Sequence, residues 1–235
     1  MEKYQLQRRK LILCSAPLLL CFQTQAWALS ISQITENEAA AGLKSVLNQV
    51  AGIAVAQLGV TGGFNNDNRV RIGFPQRLES ATALLRRVGM SRQLDQLEDS
   101  MNSAAEQAVA MAQPILVEAI TNMTFQDAKS IVTGGDRAGT AYLERSSREA
   151  LFNAFRPVVH NVVGQTALSA QYNTLASRVS VLGGTDRDFT IESYVTDKAL
   201  DGLFLIMGEK ESYIRNNPAQ AASSIAQKVL DVLLN

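Results

Sequence analysis

Four residues are spaced for chemistry: Tyr194, Asp197, Lys198 and Asp201. Steps of three and four carry them along one side of a helix. A phenol, two carboxylates and an ammonium in one strip can form the polar wall of a pocket or a partner surface. Solvated Lys–Asp pairing makes the same pattern and is worth only ~0.2–0.5 kcal/mol. These four are binding candidates. No residue is assigned a catalytic role.

His160 is the only histidine. A Ser-His-Asp arrangement needs just one, but no serine stands in a nucleophile-like context, so a core or surface histidine is the plainer reading. There is no G-x-S-x-G elbow, S-x-x-K dyad, H-E-x-x-H pair or Walker or Rossmann glycine pattern. Asp186, Asp188, Thr190 and Glu192, with Asp197 beyond, alternate oxygen ligands as a calcium loop does. Ile191 stands where that loop needs glycine, and Asp replaces the distal glutamate. Acids before a helix also suit its dipole. Glu209 and Glu211 lack the Glu-x-x-His partners of a di-iron bundle. No metal ligand and no cofactor is therefore assigned. Gly134-Gly135-Asp136 could present backbone N–H groups to an anion, but a C-cap followed by an Asp136 N-cap is simpler. Asn122-Met123-Thr124 is a glycosylation sequon that overlaps a helix cap.

The element that must position the strip is Ser193–Pro218, the longest uninterrupted helical pattern. Ile191, Val195, Ala199, Leu203 and Ile206 recur at helical spacing, with Leu200, Phe204 and Met207 as a second row. Leu203–Met207 is apolar around most of the helix. It reads as the central member of a bundle. Pro218 disfavours helix at Asn217 and ends it.

Residues 1–28 read as an export signal. Lys3, Arg8, Arg9 and Lys10 precede the apolar Leu11–Phe22, and Ala26-Trp27-Ala28 is a cleavage site. Cleavage after Ala28 leaves Leu29–Asn235 in the periplasm, with no further membrane span expected. A retained anchor and a lipoprotein at Cys14 or Cys21 are rival readings. Both cysteines lie in the signal, so the mature chain has no disulfide or thiol. Removing residues 1–28 takes four of 22 basic and one of 22 acidic residues, leaving 18 against 21 and a net charge of −3. No basic excess is left to hold nucleic acid. The remaining 207 of 235 residues suffice for one core, burying roughly 70% of the unfolded surface.

The rest reads as helix after helix. Thr35–Glu38 and Thr124–Asp127 are capping boxes, and Ser146–Glu149 is a third. Gly59–Phe74 is the one long irregular stretch, with a possible extended piece at Val70–Ile72. Pro75 suits a first helical turn ending at Gly89. Pro114 breaks or kinks the helix that Ser91 opens. Asp136 caps a helix Arg137–Arg145, and Pro157 kinks the next. Ala167–Val181 is helical, Gly183-Gly184 is a loop, and Pro218 starts a last amphipathic helix. No period-two alternation is sustained. The expectation is an all-α, single-domain, multi-helix bundle over residues 29–235, with few or no strands.

LSISQIT, LGVTGGF, VRIGFP, FQDAKSIVTGGDRAGTAYL, QYNTLA and SYVTDKALDGLFLIMGEKESYIRNNPA together carry a resemblance. Over about residues 29–220 the chain is similar to the domain of unknown function 4197 family of exported bacterial proteins. The resemblance implies a mostly helical envelope protein and brings no activity or catalytic residues.

Three functions of different class follow. A non-enzymatic periplasmic protein binding an envelope partner predicts an exposed apolar patch, on the last helix or at Phe64 and Phe74. A carrier of a lipid or acyl chain predicts an inter-helix cavity lined by Phe152, Phe155, Phe204 and Met207. A hydrolase of unrecognised type predicts a cleft with a nucleophile near His160 or a carboxylate pair. The first ranks highest. Oligomeric state is not legible.

Overall fold

The computed structural model describes residues 36–164 and 190–234. Among the described residues there are eight α-helices and no strand. They are α1 (Glu36–Leu58), α2 (Glu79–Arg87), α3 (Ser91–Val109), α4 (Ala112–Thr121), α5 (Phe125–Val132), α6 (Ala138–Val163), α7 (Ile191–Asn216) and α8 (Ser224–Leu234). Short 3-10 turns, Gln76–Leu78 and Pro218–Gln220, precede α2 and α8. Residues 1–28, Thr35 of the first capping box, LSISQIT, QYNTLA, Ala167–Val181 and Gly183-Gly184 lie outside the described residues.

The all-α expectation holds. α7 is the central helix, packed against α6, α1 and α3. Thr190 caps it by accepting the Ser193 N–H at 3.2 Å. Leu203, Phe204, Ile206 and Met207 are buried, and Leu205 is half-buried. Gly202 lets the irregular stretch approach: a Cβ there would lie 2.8 Å from Cε1 of the fully buried Phe64.

α1 is long and apolar enough over Asn37–Leu58 to cross a membrane by length and composition. Its Leu43, Val46, Leu47, Val50, Ala54 and Leu58 are buried against α4, α5, α7 and α8. Helical spacing of apolar residues here faces other helices, which makes α1 a core helix.

Residues 59–75 form turns with no strand at Val70–Ile72. Two side chains one turn apart on α3 hold this stretch. Asn102 acts as a surrogate peptide, accepting the Ile72 N–H at 2.8 Å and donating to the Ile72 carbonyl at 2.9 Å. Glu106 accepts the N–H groups of Gly62, Phe64 and Asn65 at 3.1, 3.1 and 3.3 Å. Both side chains are buried. Buried backbone donors without a ladder need such partners.

Three local expectations are corrected. Asp136 does not cap the helix after it. The N-terminal donors of α6 go instead to Glu211 of α7, which accepts Gly139 N–H at 2.9 Å and Thr140 N–H at 2.6 Å. Ser146–Glu149 is no capping box, because α6 runs unbroken from Ala138 to Val163. Ser146 and Ser147 donate back to Tyr142 and Leu143 carbonyls, a satisfied mid-helix state. Pro157 stands inside that same helix. The break ahead of α4 falls at Ala110-Met111, and Pro114 sits in the first turn of α4, where its missing N–H has no intrahelical partner to lose. The Thr124–Asp127 box is present as read, with both reciprocal bonds formed.

Candidate functional site

The α6–α7 seam assembles most of the polar strip. Arg148 of α6 is its hub. One guanidinium nitrogen donates to Asp201 at 2.6 Å and reaches Asp197 at 3.5 Å. Another meets Glu144 at 2.8 Å, and Lys198 meets Asp201 at 3.0 Å. Burial opposes charge on both partners. For Arg148 the Asp201 hydrogen bond and the surrounding carboxylates outweigh it and hold its pKa above the usual arginine value. For Asp201 the Arg148 and Lys198 contacts outweigh it and hold its pKa below the usual carboxylate value.

Tyr194 leaves this cluster. Its hydroxyl donates to the Gly73 carbonyl at 2.9 Å and ties α7 to the irregular stretch. Burial, then the nearby charges of Asp201 and Glu98, push its phenol up. The structure thus brings Asp197, Lys198 and Asp201 together and sends Tyr194 to Gly73. Arg148 was missed in the sequence because Ser146–Glu149 imitates a helix start. Its one signal was the i, i+4 pairing with Glu144.

His160 lies on the surface, its side chain 68% exposed. It borders an open depression of about 550 Å³ with Asn153, Arg156, Pro157, Thr190 and Glu192. Its Nδ1 is 3.7 Å from Glu192 Oε1, beyond hydrogen-bond length. The Thr190 hydroxyl is engaged in capping α7. No serine stands among the described lining residues. Asp186 and Asp188 lie outside the described residues. The rest of the calcium pattern diverges: Thr190 caps α7, Glu192 faces His160 and Asp197 faces Arg148. Among the described residues no three His, Cys, Asp or Glu side chains are grouped to hold a metal. Glu209 pairs with Arg69, and Glu211 with Arg215.

The apolar surface is not where the sequence placed it. Phe64 is fully buried, and Phe74 packs partly buried against the core. α8 turns Ala226, Val229 and Leu230 inward onto α1 and leaves Ile225 exposed. The outlier is α2, which buries no residue of its own. Leu84 and Val88 are 61% and 66% exposed, the largest values for large hydrophobic residues among the described residues. They are four residues apart, hence on one face. The helix ends in a Schellman turn: Met90 N–H donates to the Leu85 carbonyl and Gly89 N–H to the Arg86 carbonyl. Gly89 takes φ +88°, which glycine adopts without penalty.

Residues 33–231 match the family described as protein of unknown function (DUF4197). No curated protein and no solved structure matches the chain.

Proposed function

The chain belongs to the DUF4197 family, and we propose that it is an exported, non-enzymatic protein that acts by binding a partner in the cell envelope. The outward face of α2 is the contact. The observation that carries this reading is the exposure of Leu84 and Val88 on a helix that contributes nothing buried to the core. A soluble helix normally turns such residues inward. The signal-like residues 1–28 support the periplasm as the place where the contact is made.

The carrier reading draws less support. Phe155 and Met207 are fully buried and Phe204 nearly so, all within one packed cluster. Such residues are explained by close packing. The hydrolase reading would rest on His160 and Glu192, whose described lining partners offer no free nucleophile.

The test is fractionation of cells into periplasmic extract and membranes, with native gel filtration of the extract. The wild-type protein should elute in a larger species or in the membrane fraction, and the Leu84→Ser/Val88→Ser variant should elute free. Identical elution of the two as free protein sinks the reading. N-terminal sequencing should begin at Leu29, and a mature protein beginning at Met1 would refute export.

A further inference from the structure

We infer that the α2–α3 corner docks on an anionic lipid surface; this rests on the reading of α2 as the contact face. The charge pattern selects the occupant. Residues 79–92 hold Arg86, Arg87 and Arg92 against the single acid Glu79, in a chain whose expected exported part carries a net charge of −3. Arg86 is paired with Asp95 at 2.7 Å. Arg87 and Arg92 are exposed and pair with no carboxylate among the described residues.

The geometry fits the same occupant. α2 packs chiefly against α3 and the 3-10 turn before it, so its other side faces outward. Leu84 and Val88 lie on that side with Arg87 beside them. Val88 is the C-cap residue and stands at the corner, with Arg92 in the first turn of α3. The Schellman turn fixes this corner, so its ordering cost is already met within the fold. An apolar knuckle flanked by arginines suits a headgroup layer: the aliphatic side chains enter the acyl boundary and the guanidiniums meet phosphates. Each basic residue near an anionic surface contributes roughly fivefold in affinity.

The experiment is vesicle flotation with protein recovered after export, its N-terminus verified by mass spectrometry. The probes are vesicles of phosphatidylethanolamine with phosphatidylglycerol, and vesicles of phosphatidylcholine alone. Binding to the anionic vesicles should exceed binding to the neutral ones by roughly tenfold or more, and should fall with added salt. Arg87→Glu/Arg92→Glu should weaken it by roughly thirtyfold or more. Leu84→Ser/Val88→Ser should also weaken it at least roughly tenfold. The control Val60→Ser/Tyr213→Ser, exposed elsewhere, should leave it unchanged. Circular dichroism confirms folding, and the charge variant alters only exposed side chains. Equal binding to both vesicles, or indifference to both α2 variants, overturns the inference. If no vesicle is bound but the gel-filtration complex still depends on Leu84 and Val88, the occupant is a protein and only the lipid assignment falls. If neither assay depends on α2, both readings fall.

Discussion

Glu211 binds Thr140 twice, accepting its backbone N–H at 2.6 Å and its hydroxyl at 2.7 Å. The two residues are 71 apart in sequence, and both are buried. The same carboxylate takes the Gly139 N–H and the Arg215 Nε–H, and Arg215 in turn donates to the Ile131 carbonyl at 3.2 Å. One buried ion pair thus joins the start of α6, the end of α5 and the last turns of α7. A carboxylate at a helix N-terminus also complements the helix dipole.

Removing that carboxylate should be among the most damaging single changes. Glu211→Ala leaves Arg215 buried without its partner and should cost about 3–5 kcal/mol. Glu211→Gln keeps the shape but removes the charge and turns one of the two accepting oxygens into a donor facing donors, so it should cost about as much. Urea unfolding measures both. A loss below about 1 kcal/mol for the alanine variant would show that the network does not stabilise the fold.

Close approach at Gly202 predicts a coupled pair. Gly202→Ala puts a methyl 2.8 Å from Phe64 and 3.3 Å from Val70 Cβ, an overpacking that should cost about 1–3 kcal/mol. Phe64→Leu should cost stability alone but relieve part of the Gly202→Ala penalty. A double-mutant cycle reads the coupling. Strict additivity would mean that the ring is not what Gly202 accommodates.

Asn102 and Glu106 should control local order in the irregular stretch. Asn102→Ala removes the partner of Ile72, and its amide should lose exchange protection. Glu106→Ala should deprotect the amides of Gly62, Phe64 and Asn65. Each change should cost about 1–3 kcal/mol through unsatisfied buried groups. Hydrogen exchange by NMR resolves these amides individually, and unchanged rates would contradict the assignment.

What was legible in the sequence follows how far apart the partners are. The Thr124–Asp127 box could be read because all its partners lie within four residues. α7 could be read because periodic burial is a property of one segment. Glu106, Asn102 and Glu211 could not, since their partners lie 30 to 72 residues away. Ser146–Glu149 failed for the complementary reason. Its residue types suit a cap, but no chain end exists there for them to cap. Of the candidate strip, the helix face was legible and its hub was not, because Arg148 comes from another helix. The exposure of Leu84 and Val88 was not legible for another reason: an i, i+4 apolar pair has the same spacing whether the fold buries it or leaves it out.

The acid side of the stability curve should carry a signature of the α6–α7 seam. Asp201 is held below its ordinary value of 3.8 by Arg148 and Lys198, against the opposing effect of burial. A carboxylate depressed on folding stabilises the protein above its unfolded value. That contribution is lost as pH falls through the folded value. The Asp201→Asn variant lacks it at every pH. Wild type should therefore have the higher Tm at pH 7, and the gap should narrow steadily below about pH 4. The side chain is nearly half exposed, so the gap should be small and should shrink in added salt. Parallel melts of the two proteins from pH 7 to pH 3 test the sign. A gap that is constant or widens on acidification would mean that Asp201 draws no net stabilisation from Arg148, and that the seam is held by the apolar packing of α6 on α7.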